Sequence, residues 1–216
     1  MDNVIAIVGI HTDIGKTIAS AVIAEAIDAD YWKPVQAGNI GHRDKLVVEN
    51  LISNGNVRVH EEAVLLSEPM SPHAAAHIDN VKIDHTRFTW PDTNKLLLVE
   101  TAGGVLSPMY EGVTMADFVK YYKLPVILIS QNYLGSINHT LLSIEVLKSR
   151  DIPILGLVIN GNTNNESESF IEQYSGVPVI AKVPFFTELD HTAINAHAIK
   201  IRKSLLNYVE HSGTGQ

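Results

Sequence analysis

Val4-Ile5-Ala6-Ile7-Val8-Gly9-Ile10-His11-Thr12-Asp13-Ile14-Gly15-Lys16-Thr17-Ile18-Ala19-Ser20-Ala21 decides the fold of this chain. Residues 4–8 are too few for a helix and too continuously apolar for a half-exposed strand, so they read as a buried parallel strand. A glycine-bearing turn follows, and Gly15-Lys16-Thr17 leads into a helical pattern over residues 16–27. Strand, loop and helix in that order are the setting of a phosphate-binding loop. Backbone N–H groups at the helix start surround phosphate oxygens, the Lys16 ammonium neutralises the outer phosphates, and the Thr17 hydroxyl ligates Mg²⁺. Five residues separate Gly9 from Gly15, one more than the usual spacing. Thr12 and Asp13 fit two roles: turn formers, or side chains that reach the phosphates or the metal.

Working outward, short runs rich in β-branched residues and Leu recur at 96–99, 126–129 and 154–159, with weaker strands at 31–33 and 179–181. Helical patterns lie between them at 44–52, 115–122, 137–150 and 166–174, and a last one at 192–209. This alternation predicts an α/β fold, a single-domain, doubly wound, mostly parallel sheet with helices on both faces. Its ligands should sit beyond the carboxyl ends of the strands. The expected domain is 1–210, with 211–216 a flexible tail. Residues 55–92 carry Pro69, Pro72 and Pro91 and little periodicity, and read as a surface excursion.

A formal charge of −8 over 216 residues argues against a nucleic-acid surface. The absence of cysteine excludes disulfides, thiolate metal sites and thiol nucleophiles. No apolar run has the length of a membrane span and no secretory leader is evident, so a cytoplasmic protein with no membrane partner is expected.

A phosphate-binding loop needs carboxylates from other strand ends. Glu100 follows the run 96–99 and precedes Thr101-Ala102-Gly103-Gly104, a turn that permits close backbone approach. Asp44 is on spacing alone at least as good a helix N-cap as a metal ligand. Lys33, held by Pro34, reads as a solvated surface lysine or as an amine near the phosphates. Asn160, in Asn160-Gly161, is a turn former or a reader of an adenine edge. His73 and His77 have the spacing of a helical metal pair, but Pro72 and the alanines between them suggest an ordinary helix start.

These segments resemble the dethiobiotin synthetase family over most of the chain. The resemblance rests on residues 9–17, Lys33-Pro34-Val35-Gln36, Glu68-Pro69 with Ser71-Pro72-His73, Val99-Glu100 with Ala102-Gly103-Gly104, Leu124-Pro125-Val126-Ile127, and Leu134-Gly135-Ser136-Ile137-Asn138-His139. The additional loop residue is usual in that family. The resemblance implies ATP-dependent carboxylation and ring closure of 7,8-diaminopelargonate with CO₂, through a carbamate and a carbamic-phosphoric mixed anhydride. Lys33 and Lys16 would be the catalytic residues. Thr12, Asp13, Ile14, Gly15, Lys16, Thr17 and Ile18 would border the nucleotide, with Asp44, Glu100, Thr101, Ala102, Gly103, Asn160, Gly161, Pro184, Phe185 and Phe186. Thr17, Asp44 and Glu100 would hold Mg²⁺. The substrate would meet Lys33 and Ala37, and its distant carboxylate would meet Gly135, Ser136, Ile137 and Asn138 of a partner subunit in a homodimer.

Three positions depart from the family pattern: Ile10 replaces Thr, Ala37 replaces Ser or Thr, and Thr101 replaces Gly. The Ala37 change removes a hydroxyl contact to the substrate, and Thr101 is expected to narrow the space beside the metal. Two rivals are weaker. A glutamine-dependent amidase needs a nucleophilic cysteine, which the chain lacks. A partitioning ATPase carries a signature lysine at about the position of His11.

Overall fold

In the computed structural model, which describes residues 3–209, strand β1 (Val4–Gly9) lies at the centre of the sheet, and Ile5, Ala6, Ile7 and Val8 are all buried. Such a run cannot alternate, because helices cover both faces of a parallel strand. Helix α1 (Lys16–Ile27) follows, then β2 (Asp30–Trp32), β3 (Val35–Ala37) and α2 (Asp44–Leu51). Next come β4 (Val59–His60), β5 (Val64–Leu66), α3 (Pro72–Ile78), β6 (Leu97–Glu100), β7 (Pro108–Tyr110), β8 (Val113–Thr114) and α4 (Met115–Tyr121). The chain then alternates through β9 (Val126–Ser130), α5 (Ser136–Ser149), β10 (Ile154–Asn160), α6 (Asn165–Ser175), β11 (Val179–Val183) and α7 (His191–Val209).

The main sheet runs β11-β10-β9-β1-β6-β2-β4, with every pairing parallel. Strand order reverses at β1, which puts a crevice beyond its carboxyl end, where doubly wound sheets bind ligands. Helix α1 is buried nearly all round because it packs against both α7 and α2, whereas α5 packs on α6. The predicted α/β class and parallel sheet are therefore observed. The tail predicted for 211–216 lies outside the described residues.

The segment 55–92 is more than a surface excursion. β4 closes one edge of the main sheet, β5 pairs in parallel with β3, and Leu66, Ala75, Ala76 and Ile83 reach the core. Strands of two or three residues are too short to leave a periodic trace. Pro72 does open α3, whose His73 and His77 are both exposed. Among the described residues no group of three or more His, Asp or Glu side chains could hold a metal ion.

His85 is 5 % exposed, and rings of Tyr110, Phe118, Tyr121 and Tyr122 surround it. Its Nδ1 shares a 2.6 Å hydrogen bond with the Tyr110 hydroxyl, while Nε2 is buried without a partner. Burial lowers its pKa below the ordinary 6.5, against the opposing charges of Asp84 and Asp117. The unfolded chain therefore binds this proton more readily, and the stability His85 confers is complete above its unfolded pKa and declines as the pH falls through the folded one. Thermal melting between neutral and mildly acidic pH is expected to show a steeper loss for the native chain than for His85→Gln.

Candidate active site

Beyond β1 the loop makes two left-handed turns, at Asp13 (φ 59°) and Gly15 (φ 78°). Gly15 is the N-cap of α1, and no side chain caps that helix. Its first N–H groups and positive dipole end are thus available to an anion. A side chain at Gly15 would stand 2.2 Å from Asn160 Nδ2. Gly15→Ala should therefore destabilise the loop, by about 1–2 kcal/mol from its left-handed backbone alone. Melting temperature and calorimetric ATP binding, both expected to fall, check this.

Lys16 is nearly buried, and its Nζ donates to the His11 carbonyl at 3.2 Å. Burial brings its pKa down to about 8; Lys33 adds to the fall, while Glu100, Asp44 and Asp13 oppose it.

Glu100, the last residue of β6, is 1 % exposed, and its two oxygens have separate partners. Oε2 accepts from Ser20 Oγ (2.9 Å) and the Tyr31 hydroxyl (3.0 Å). Oε1 accepts from Thr17 Oγ1 (3.0 Å) and faces Lys33 Nζ at 3.5 Å. Lys33, the first residue past β2, also donates to Asp44 Oδ2. Burial disfavours the Lys33 charge, but Glu100 and Asp44 outweigh it and raise its pKa above the ordinary 10.5. Burial and the neighbouring Glu100 also raise the Tyr31 phenol well above its usual range, so Tyr31 keeps the proton it donates to Glu100.

Asp44 is the first residue of α2 and Arg43 is its N-cap, so the capping role open on spacing goes elsewhere. Gln36 Oε1 accepts from the Asp44 N–H at 3.3 Å and fixes that helix start. Lys33, Gln36 and Asp44 wall a cleft of about 390 Å³ lined also by Thr12, Asp13, Ala37, Asn39, Ala102, Gly103, Ser107 and the turn 69–72.

Several predicted residues are placed differently. Thr101 does not narrow the cleft: it is 1 % exposed, and its hydroxyl donates to the Ile7 carbonyl at 3.1 Å. The side chain of Ile14 is fully buried in the core, leaving its backbone to face a ligand. Asn160 is buried and donates to the Ile14 carbonyl at 2.8 Å, so its amide braces the loop. Next to it, the Phe185 ring lies against Gly161, and Pro184 and Phe185 are exposed; Phe186 packs beside His197. Gly135, Ser136, Ile137 and Asn138 line a separate hollow with residues 132–134 and 162–164, away from Lys33. Gly135 caps α5 with no side-chain hydrogen bond, and Leu134 beside it is fully exposed.

Sequence reasoning missed Ser20, Tyr31 and Gln36 as site residues. Ser20 lies one turn beyond Thr17 on the same helix face, and Tyr31 two residues before Lys33.

The chain matches the family model of an AAA domain over residues 3–193. It is 43% identical to the ATP-dependent dethiobiotin synthetase BioD of Christiangramia forsetii over 199 residues, covering 92% of this chain and 96% of that one. It is 43% identical to the protein of the same name from Chlamydia pneumoniae over 194 residues, covering 90% and 87%. Among solved structures, a ParA family ATPase from Chlorobium tepidum aligns with a TM-score of 0.53 at 12% identity, covering 98% of this chain and 100% of that one. The septum site-determining protein MinD from Pyrococcus horikoshii aligns at 0.55 and 13%, covering 97% and 95%. At such identities these two speak for the fold alone.

Proposed function

Because the chain belongs to the ATP-dependent dethiobiotin synthetase family and is thereby an ATP-binding ligase of biotin biosynthesis, we propose that it carboxylates and cyclises 7,8-diaminopelargonate with CO₂ and ATP. The observation that carries this is the meeting of Thr17, Lys33, Asp44 and Glu100 beside an anion-binding loop. One substrate amine adds to CO₂ and loses a proton, giving a carbamate. A carbamate oxygen attacks the γ-phosphorus, the bond to ADP breaks, and a mixed anhydride forms. The second amine then attacks the carbonyl carbon, phosphate departs, and the ureido ring closes with loss of a proton.

The substrate supplies both nucleophiles, so the protein supplies position and charge. Lys33, whose pKa Glu100 and Asp44 raise, favours the ammonium over a role as base. Its part is to hold the carbamate and offset negative charge as the phosphoryl group moves. Lys16 does the same for the outer phosphates. Gly15 and the first N–H groups of α1 hold the phosphates in line, and Asp13 borders them.

Thr17, Asp44 and Glu100 form an all-oxygen donor set, in which both carboxylates already meet a cation, the Lys33 ammonium, and Thr17 is bonded to Glu100; this suits Mg²⁺. When bound, Mg²⁺ neutralises charge on the phosphate oxygens. Phe185, Pro184 and Gly161 would flank the adenine, and Asn160, which gives one amide hydrogen to the Ile14 carbonyl, can still offer its second N–H and its Oδ1 to the base. Ala37 lines the cleft and offers the substrate no hydroxyl. The start of α5, lying away from Lys33, suits a role toward a partner subunit of a homodimer.

The test is phosphate release from MgATP by purified protein. Release that needs both the diamine and bicarbonate, with dethiobiotin formed, supports the proposal. Release indifferent to the diamine sinks it.

A further inference from the structure

Glu168, on α6, is 4 % exposed and lies outside the cleft that holds Lys33. Its Oε2 accepts from Lys182 Nζ at 2.5 Å. Its Oε1 accepts from the Asn164 N–H and from Asn132 Nδ2, each at 2.8 Å. Asn132 Nδ2 also donates to the Asn162 carbonyl at 3.0 Å, so both of its amide hydrogens are engaged. A nearly buried carboxylate is costly to keep, and here three charge-assisted bonds offset the cost. What they join is informative. Asn132 stands three residues before Gly135, the cap of α5, while Asn162 and Asn164 follow β10 and Lys182 belongs to β11. The start of α5, which Thr140 already links through the Ser136 carbonyl to Ser130 of β9, is thereby tied to two further strand ends of the sheet. Around Leu134 and Gly135, no side-chain cap holds it.

We propose that Glu168, acting through Asn132, is a positioning residue for the substrate's distant carboxylate: the pair fixes the start of α5 so that its N–H groups converge on that anion. This rests on the role given above to residues 135–138. An anion held by helix N–H groups loses much of its binding when the helix end drifts by an ångström, because the bonds are directional. The phosphate-binding loop meets this region through the His11 ring, which lies against Tyr133 and His139, so KM for ATP, expected to hold at the native value, is followed as the control.

The experiment compares two substrates on the whole enzyme: 7,8-diaminopelargonate, and the vicinal diamine in which hydrogen replaces the carboxylate. Asn132→Ala should raise KM for the carboxylated diamine by roughly tenfold, leave kcat within about twofold, and leave kcat/KM for the carboxylate-free diamine at the native value. Glu168→Gln keeps the shape and should move the same parameters in the same direction; it carries the comparison alone should Asn132→Ala not fold. Equal losses on both diamines would mean a merely structural role and overturn the proposal, as would no loss on either. A native enzyme that treats the two diamines alike removes the premise about α5 and the proposal with it, and that failure is visible before any variant is made.

Discussion

Lys33→Ala is expected to lower kcat for phosphate release by about 10²–10³-fold, the cost of removing one preorganised charge from a desolvated transition state. KM for ATP should change little, since the N–H groups of the loop remain and Lys16 keeps its charge and its bond to the His11 carbonyl. The selectivity follows from geometry: Lys33 follows β2 and bonds to Glu100 and Asp44, whereas the loop follows β1 and holds the phosphates by its own N–H groups. Glu100 keeps Thr17, Ser20 and Tyr31 as donors, so the variant should fold. Steady-state kinetics with ATP and diamine varied separately provide the check; an unchanged kcat would show that the Lys33 ammonium is no part of the chemistry.

Glu100→Ala should act on stability and activity together. It removes the acceptor of three hydroxyls and one of the two carboxylates facing a buried ammonium. Stripping one partner from a buried charge pair costs about 3–5 kcal/mol, and the lower end applies because Asp44 remains. For a domain of this size that is a melting-temperature fall on the order of 10 °C. Activity should vanish with it, since the donor set proposed for Mg²⁺ loses its best-anchored member. Differential scanning calorimetry beside the kinetic assay separates the two effects. Glu100→Gln, which still accepts hydrogen bonds, should recover part of the stability and none of the activity.

What could be read in advance divides along physical lines. Runs such as 126–129 are legible because strands buried on both faces need unbroken apolar residues, and β9 is buried throughout. β3, β4 and β5 are not, because two or three residues carry no period, so the wall of the cleft at 69–72 went unread. The phosphate-binding loop could be derived from its own residues. Lys33 and Asp44 could not: each had an ordinary alternative, and only their mutual contact distinguishes them. Thr101 was misjudged because a residue's direction at a strand end depends on its neighbour, here the Ile7 carbonyl, which accepts both the Thr101 N–H at 3.0 Å and its hydroxyl at 3.1 Å.

The division of Glu100 between two sets of partners bears on which ion the site can select. With Oε2 taken by Ser20 and Tyr31, the carboxylate presents one oxygen to a cation and cannot chelate through both. A small ion with strict octahedral demands loses nothing by this, whereas Ca²⁺ gathers more oxygens and often both from one carboxylate. Denticity thus becomes a filter on ionic size, set by two hydroxyls that need never touch the metal. Ca²⁺ should compete weakly with Mg²⁺ in the phosphate-release assay, and Tyr31→Phe, by freeing one side of Oε2, should narrow the gap.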